Sequence, residues 1–273
     1  MEFTPPQHLQ DEVGRYRDSP DPRLAELVTA LVRHLHAYVV EVGLTREEWA
    51  KAIEFLTETG QMCDDERQEF VLLSDTLGIS MLVEMVNHDG AAGTTEPTVF
   101  GPFHADGSPP RGFAASMADD DLGGEPLVIS GRVLGLDGEP IGEAELDVWQ
   151  TAPSGLYAVQ GGQSEMNLRG IYTTDRDGRY RIRTVRPVAY QIPGDGPAGR
   201  LLARTGRHDW RPAHIHFVVS AAGYKSVTTH VFDAASDYLD SHAVFGVRPS
   251  LVVEMDDGEV QFDFVLEPSV PDP

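Results

Sequence analysis

Near residue 95 the hydrophobic period of this chain changes from three-and-four to two, so helices must come first and strands afterwards. Leu24, Leu27, Leu31, Leu35 and Val39 make one helical stripe. A second helix is expected from Thr45, whose hydroxyl can cap free amides while Glu48 reaches back, ahead of Trp49, Ile53 and Leu56. A third is expected after Asp64 and Asp65, carrying Phe70, Leu73, Leu77, Met81 and Met85 to about Asn87, with Gly78 weakening it without ending it. These stripes are read as helix-on-helix or subunit packing, not as chemistry.

From Gly90 onward Gly, Pro, Thr and Asp dominate, and short apolar runs are separated by turn dipeptides at Asp137-Gly138, Asp177-Gly178 and Asp257-Gly258. Strands are expected at 127–134, 145–151, 170–174, 180–185, 213–220, 227–232, 251–255 and 260–266. Many short strands without intervening helices point to an antiparallel β-sandwich. The expected fold is therefore mainly β with an N-terminal helical domain, residues 1–95, ahead of a β-sandwich domain, residues 96–273.

Composition narrows the function classes. The 273 residues carry 21 Lys+Arg against 44 Asp+Glu, a net charge of −23, which repels a nucleic-acid backbone or an anionic membrane surface. The stretch Met1 to Asp11 is polar, no run is long enough to span a bilayer, and the single cysteine, Cys63, cannot form an internal disulfide. A cytoplasmic location is expected. Cys63 lies at an expected helix start, where packing or capping is its commoner use.

The sharpest local signal is Arg211-Pro212-Ala213-His214-Ile215-His216-Phe217. In a strand, alternate side chains share a face, so both imidazoles point one way while Ala213, Ile215 and Phe217 point the other. The spacing leaves two readings open, a metal chelate or two hydrogen-bonded histidines. His34 and His36 have the same spacing but lie in a helix, where two residues turn through about 200° and the rings diverge. Gly194-Asp195-Gly196-Pro197-Ala198-Gly199 matches a dinucleotide fingerprint formally, but Pro197 lacks an amide proton and the surroundings are β-rich, so a turn-rich loop is expected.

Taken together with Asp147-Val148-Trp149-Gln150, Ser154-Gly155-Leu156-Tyr157, Arg169-Gly170, the 174–180 block and Arg186-Pro187-Val188-Ala189-Tyr190, the histidine segment resembles the intradiol catechol dioxygenases over essentially the whole chain. The resemblance implies one non-haem Fe(III) per subunit held by Tyr157, Tyr190, His214 and His216, with Tyr190 displaceable by substrate. Two phenols, whose free pKa is about 10, become anions at neutral pH only beside a strongly Lewis-acidic cation, and anionic oxygen donors favour ferric over ferrous iron. It also implies that an ortho-diol and O2 are the substrates, that Arg211 faces developing negative charge on the ring, and that the N-terminal helices join a homodimer with a phospholipid held between them.

The blocks 55–65, 72–78 and 240–247 look like the hydroxyquinol-cleaving branch of that family. The pocket positions that match are Leu72, Asp75, Val99, Phe100, Gly101, Pro102, Phe103, Ile192, Pro193 and Val244. A carboxylate beside a ring needs a hydrogen-bond partner, and a third substrate hydroxyl would give Asp75 one; a helix-surface aspartate is the alternative. His230 stands where plain catechol enzymes usually carry glutamine, which argues against unsubstituted catechol and leaves room for a role beside the iron. The rival expectations are a chlorocatechol or broad-specificity catechol 1,2-dioxygenase, a non-catalytic β-sandwich binding module, and a zinc hydrolase, the last disfavoured by paired tyrosines.

Overall fold

The computed structural model describes residues 14–64, 67–88, 91–255 and 257–269. Met1 to Asp11, Asp65 and Gly90, which figure in the sequence pattern, lie outside them. Two compact units are formed, Met1–Glu58 and Thr59–Pro273.

The first helices form where the stripes require. Helix α1, Pro22–Glu41, starts with Asp21 accepting from the amides of Arg23 and Leu24, and with Pro22 where no amide proton is needed. Helix α2, Arg46–Gln61, has the expected reciprocal cap: Thr45 N–H donates to Glu48 Oε2 at 2.9 Å and Glu48 N–H donates to Thr45 Oγ1 at 3.2 Å. No helix among the described residues is long and apolar enough to cross a membrane.

The expected third helix is two. Helix α3, Glu69–Thr76, stops at Leu77, and α4, Ile79–Asn87, restarts after Gly78, whose φ of 74° is left-handed and breaks the helical ladder. A Cβ there would also come 3.1 Å from the Phe245 ring. Asp64, at the expected start, lies before the helix and accepts the Arg67 amide instead.

Alternation along the later strands builds a sandwich. One sheet joins β1 (Pro126–Gly135) to β4 (Arg179–Val185), β10 (Glu259–Gln261) and β11 (Phe264–Leu266). The other runs β3-β2-β7-β8-β9, from β3 (Arg169–Thr173), β2 (Glu145–Trp149), β7 (His214–Ser220) and β8 (Val227–Asp233) to β9 (Val252–Val253). A separate hairpin pairs β5 (Tyr190–Gln191) with β6 (Trp210–Arg211). Most ladders are antiparallel; β1 with β10 and β11, and β8 with β9, are parallel. The single strand expected at 260–266 is broken at Phe262-Asp263, where the chain crosses β1 at Gly131. A Cβ at 131 would overlap the Phe262 carbonyl, so only glycine lets the two backbones meet there.

Between the sheets lie Ile129, Val133, Leu146, Val148, Ile182, Ile215, Phe217, Val219, Val231 and Phe264, all fully buried. Inward Leu146 and Val148 on β2, and Ile215, Phe217 and Val219 on β7, leave Asp147, Trp149, His214 and His216 for the opposite face. There the register aligns Arg169, Trp149, His216 and His230 in one row across β3, β2, β7 and β8. That row is the floor on which the site is built.

Helix α5, Pro197–Arg204, and the loop before it are tied to α3. Glu69, fully buried, accepts the Ala198 amide at 3.0 Å, and Arg67 bridges Glu69 to Asp195. The formal dinucleotide fingerprint is thus the cap of a short helix, with Gly199 packed against Gly194 too closely for a side chain.

Candidate metal centre

His214 and His216 project from alternate positions of β7, and their Nε2 atoms lie 3.1 Å apart. The loop after β2 brings in Tyr157, whose Oη is 2.9 Å from His216 Nε2 and 3.1 Å from the Oη of Tyr190, the latter presented by the β5–β6 hairpin. All four side chains are 4% exposed or less. These separations suit donors that share one ion. Ligand atoms about 2.1 Å from a shared metal ion lie about 3.0–3.5 Å apart, a range these contacts approach.

Protonation agrees with ligation. The Pro212 carbonyl can only accept, so its 2.7 Å contact with His214 Nδ1 puts the proton there and leaves a lone pair on Nε2 toward the cluster. Burial, with Arg211 beside it, pushes His214 well below the usual histidine range; burial, then His214 and the Arg211 charge, does the same to His216. Burial raises the Tyr157 phenol far above 10, helped by Tyr190 and opposed by Arg211 and Arg169. Tyr190 is also raised by burial, with Arg211 pulling it down. The donor set offers two neutral imidazoles and two phenols that ionise only against an added positive charge, which a highly charged metal ion supplies.

His230 stands opposite His216 in register, with ring centroids 4.2 Å apart, and neither of its nitrogens has a partner among the described residues. With His214 and His216 it makes a metal-capable triad whose ligand atoms lie within 4.8 Å of one another. The two sets share the His214–His216 pair, and Tyr157 lies 2.9 Å from His216 and 3.1 Å from Tyr190.

Arg211, only 2% exposed, is paired in register with Tyr190; its Nη1 donates to Tyr190 Oη at 2.8 Å and its Nε to His242 Nε2 at 3.0 Å. Its Nη2 is buried without a partner among the described residues. A guanidinium NH2 in that state fits an anionic oxygen of a bound molecule.

Of the expected pocket positions, Gly101 has a φ of 79°, and a Cβ there would lie 3.2 Å from His216 Cε1, so the 99–104 segment passes directly over the cluster. Phe103 stacks on Tyr157 at 4.8 Å, and Phe100, 43% exposed, packs against Trp149. Asp75 is buried, not on a helix surface; burial raises its carboxyl, opposed by a Ser80 hydrogen bond and the Arg211 charge. Leu72 lies one turn earlier on α3 and is buried. Arg207 joins this region to Val244, donating to Thr76 O at 2.7 Å and Ala243 O at 2.9 Å. Ile192 is anchored through its amide to Asp209 O. Val99 is buried, while Pro102 and Pro193 are half-buried.

Three residues of the site lie in blocks that match the family, yet the sequence assigns them no role. Trp149 stacks on His216 at 4.5 Å, Arg169 sits beside it in the row with Nη2 donating to Phe103 O, and His242 holds Arg211. Alternation on β2 puts Trp149 opposite Val148, but which residue it meets depends on a register that no local pattern encodes.

A family model described as "Catechol dioxygenase N terminus" matches residues 21–95, and one described as "Dioxygenase" matches 99–268. A 6-chlorohydroxyquinol 1,2-dioxygenase of Cupriavidus pinatubonensis is 49% identical over 264 residues, covering 94% of this chain and 95% of the relative. A hydroxyquinol 1,2-dioxygenase of a Rhizobium species is 46% identical, covering 92% and 86%. The crystal structure of hydroxyquinol 1,2-dioxygenase from Pseudomonas putida DLL-E4 superposes with a TM-score of 0.90 at 46% identity, covering 96% of this chain and 98% of that one. With two phenols and two imidazoles gathered on the outer face of a β-sandwich and matches of this extent, the chain belongs to the intradiol catechol dioxygenase family.

Proposed function

We propose that this protein cleaves hydroxyquinol, 1,2,4-trihydroxybenzene, between its adjacent hydroxylated carbons, placing both atoms of O2 in a 3-hydroxy-cis,cis-muconate that tautomerises to maleylacetate. The observation that carries the reading is the buried cluster of Tyr157, Tyr190, His214 and His216, with Arg211 attached to it through Tyr190. These four residues would hold one non-haem Fe(III). A ferric ion, when bound, withdraws electron density from a chelated ortho-diol and so makes the ring reactive toward oxygen.

The chain's own groups do the rest. The Tyr190 oxygen, which would be ionised beside a bound ferric ion and is held at 2.8 Å by Arg211 Nη1, is placed to take a proton from a diol hydroxyl. Arg211 Nη2 is the donor free for negative charge on the ring oxygens. Gly101 lets the 99–104 segment pass close over the cluster, and with the stacked Phe103 it excludes water from one side. The remaining pocket positions form the wall against the ring.

Hydroxyquinol is favoured over chlorocatechol because relatives named for hydroxyquinol substrates are 40–49% identical, against 34% for a chlorocatechol 1,2-dioxygenase of Pseudomonas putida. Asp75, buried and under the influence of Arg211, is the group we assign to the third hydroxyl. Asp75→Leu is expected to lower the hydroxyquinol-over-catechol ratio of kcat/KM by about 10–100-fold, the size of one hydrogen bond to a charged group; an unchanged ratio would remove Asp75 from substrate choice. Side-by-side kinetics of the iron-loaded protein on hydroxyquinol, catechol and 4-chlorocatechol test the reading as a whole. Hydroxyquinol should lead, and a preference for either of the others overturns it.

The same reading includes a homodimer joined by the N-terminal helices with a phospholipid between them, a cytoplasmic location, and a division of the chain at residues 95 and 96. In support, Leu24, Leu27, Leu31, Leu35 and Val39 of α1 are 43–58% exposed, an apolar stripe that association would cover.

A further inference from the structure

We infer that His242 is a positioning residue: it fixes the Arg211 guanidinium so that one NH2 is held on Tyr190 and the other is left for substrate. The inference rests on the function proposed above and adds to it a residue outside the cluster. Its ring is 5% exposed, and Nε2 meets Arg211 Nε at 3.0 Å. An arginine Nε always carries its proton, so Nε2 must present a lone pair. The other nitrogen, Nδ1, faces the Gly246 amide at 3.0 Å. Donors face both nitrogens, so a doubly protonated ring is excluded; the charge-assisted bond to Arg211 takes the lone pair, and the amide contact is the one that relaxes.

The ring itself is held from several sides. Ala243 N–H donates to Trp210 O, directly beside Arg211, and Arg207 donates to Ala243 O. Phe232 packs edge-on against the imidazole at 5.8 Å. With Nε and Nη1 both engaged, the planar guanidinium has no rotational freedom, and Nη2 is the donor left over. The His242 imidazole is a neutral partner, so it fixes the guanidinium without neutralising its charge. A fixed donor of this kind avoids reorganisation at the moment of reaction.

His242→Leu removes the acceptor and His242→Gln restores one. In iron-loaded protein, His242→Leu should lower kcat/KM for hydroxyquinol by about 30-fold and weaken anaerobic hydroxyquinol binding, followed in the visible band, by about tenfold, the range of one charge-assisted hydrogen bond. His242→Gln should recover to within about fivefold. In an Arg211→Gln background the leucine change should add less than about threefold, because its partner is gone. Iron content should stay at the wild-type level throughout, and His242→Met repeats the test if leucine unfolds the protein. A leucine variant within threefold of wild type, a glutamine variant no better than leucine, or an undiminished loss in the Arg211→Gln background would each overturn the assignment. If wild type itself does not turn over hydroxyquinol, the proposed function fails instead.

Discussion

Arg211→Gln is expected to lower kcat on hydroxyquinol by about 10²–10³-fold, the usual loss when a fixed donor to developing negative charge is removed, while the protein still takes up iron as wild type does. Arg211 donates to the Tyr190 phenol and not to the histidines of the cluster, so the four donor atoms stay in place without it. Two effects combine in the loss. Tyr190, already raised by burial, loses the neighbouring charge that pulls it down, and the ring oxygens lose the unpartnered Nη2. Arg211→Lys should recover little, since an ammonium keeps the charge but cannot span Tyr190 and His242 at once. Iron content, kcat and KM measured together check this. Turnover near wild type in Arg211→Gln would remove the residue from the reaction.

The second large effect is on stability. Four buried histidines, His214, His216, His230 and His242, are all held well below the ordinary histidine range, chiefly by burial. With folded pKa values depressed, the unfolded chain binds more protons, so their contribution is fully present above about pH 6.5 and is lost as pH falls through and below it. Each such group contributes a slope of up to about 1.4 kcal/mol per pH unit. The metal-free protein should therefore lose about 3–5 kcal/mol of unfolding free energy per unit below pH 6.5. Asp75 and Glu84 act in the opposite sense, because burial raises their pKa values and their protonation on acidification is favourable, but they are two groups against four. Urea unfolding of metal-stripped protein between pH 7.5 and 5.5 measures the slope, and a flat profile would contradict the burial and neutrality of these rings.

What could be read from the sequence divides along physical lines. Period and capping are local, so the stripe of α1, the Thr45–Glu48 cap and the facing of His214 and His216 were all legible. Gly78 breaks the expected helix because propensity measures only the cost of glycine within a helix, whereas its left-handed φ belongs to a turn against which Phe245 packs. The division at Phe262-Asp263 was hidden because it depends on the backbone of another strand at Gly131, far away along the chain.

The site shows the same division. Nothing in spacing distinguishes Tyr157 and Tyr190 from the other tyrosines; a loop and a two-residue hairpin carry them, and only resemblance to the family selected them. Arg211 was legible as a cation next to the histidine segment, but its attachment to Tyr190 arises from the β5–β6 register. Trp149, Arg169 and His242 act through cross-strand or loop contacts that no short motif announces. The Asp75 carboxyl could be placed on a helix but not assigned a burial, and its burial is what supports the part in substrate choice proposed for it.

The most direct test of the central claim is an anaerobic titration of iron-loaded protein with hydroxyquinol, followed by admission of oxygen and identification of the product. A visible tyrosinate-to-iron band should be present at the start, shift as one hydroxyquinol binds per iron, and decay on oxygen to a ring-opened dicarboxylate carrying both oxygen atoms. A protein that takes up no iron, shows no band, or returns hydroxyquinol unchanged after oxygen would contradict the assignment of Tyr157, Tyr190, His214 and His216 as the centre of an intradiol dioxygenase.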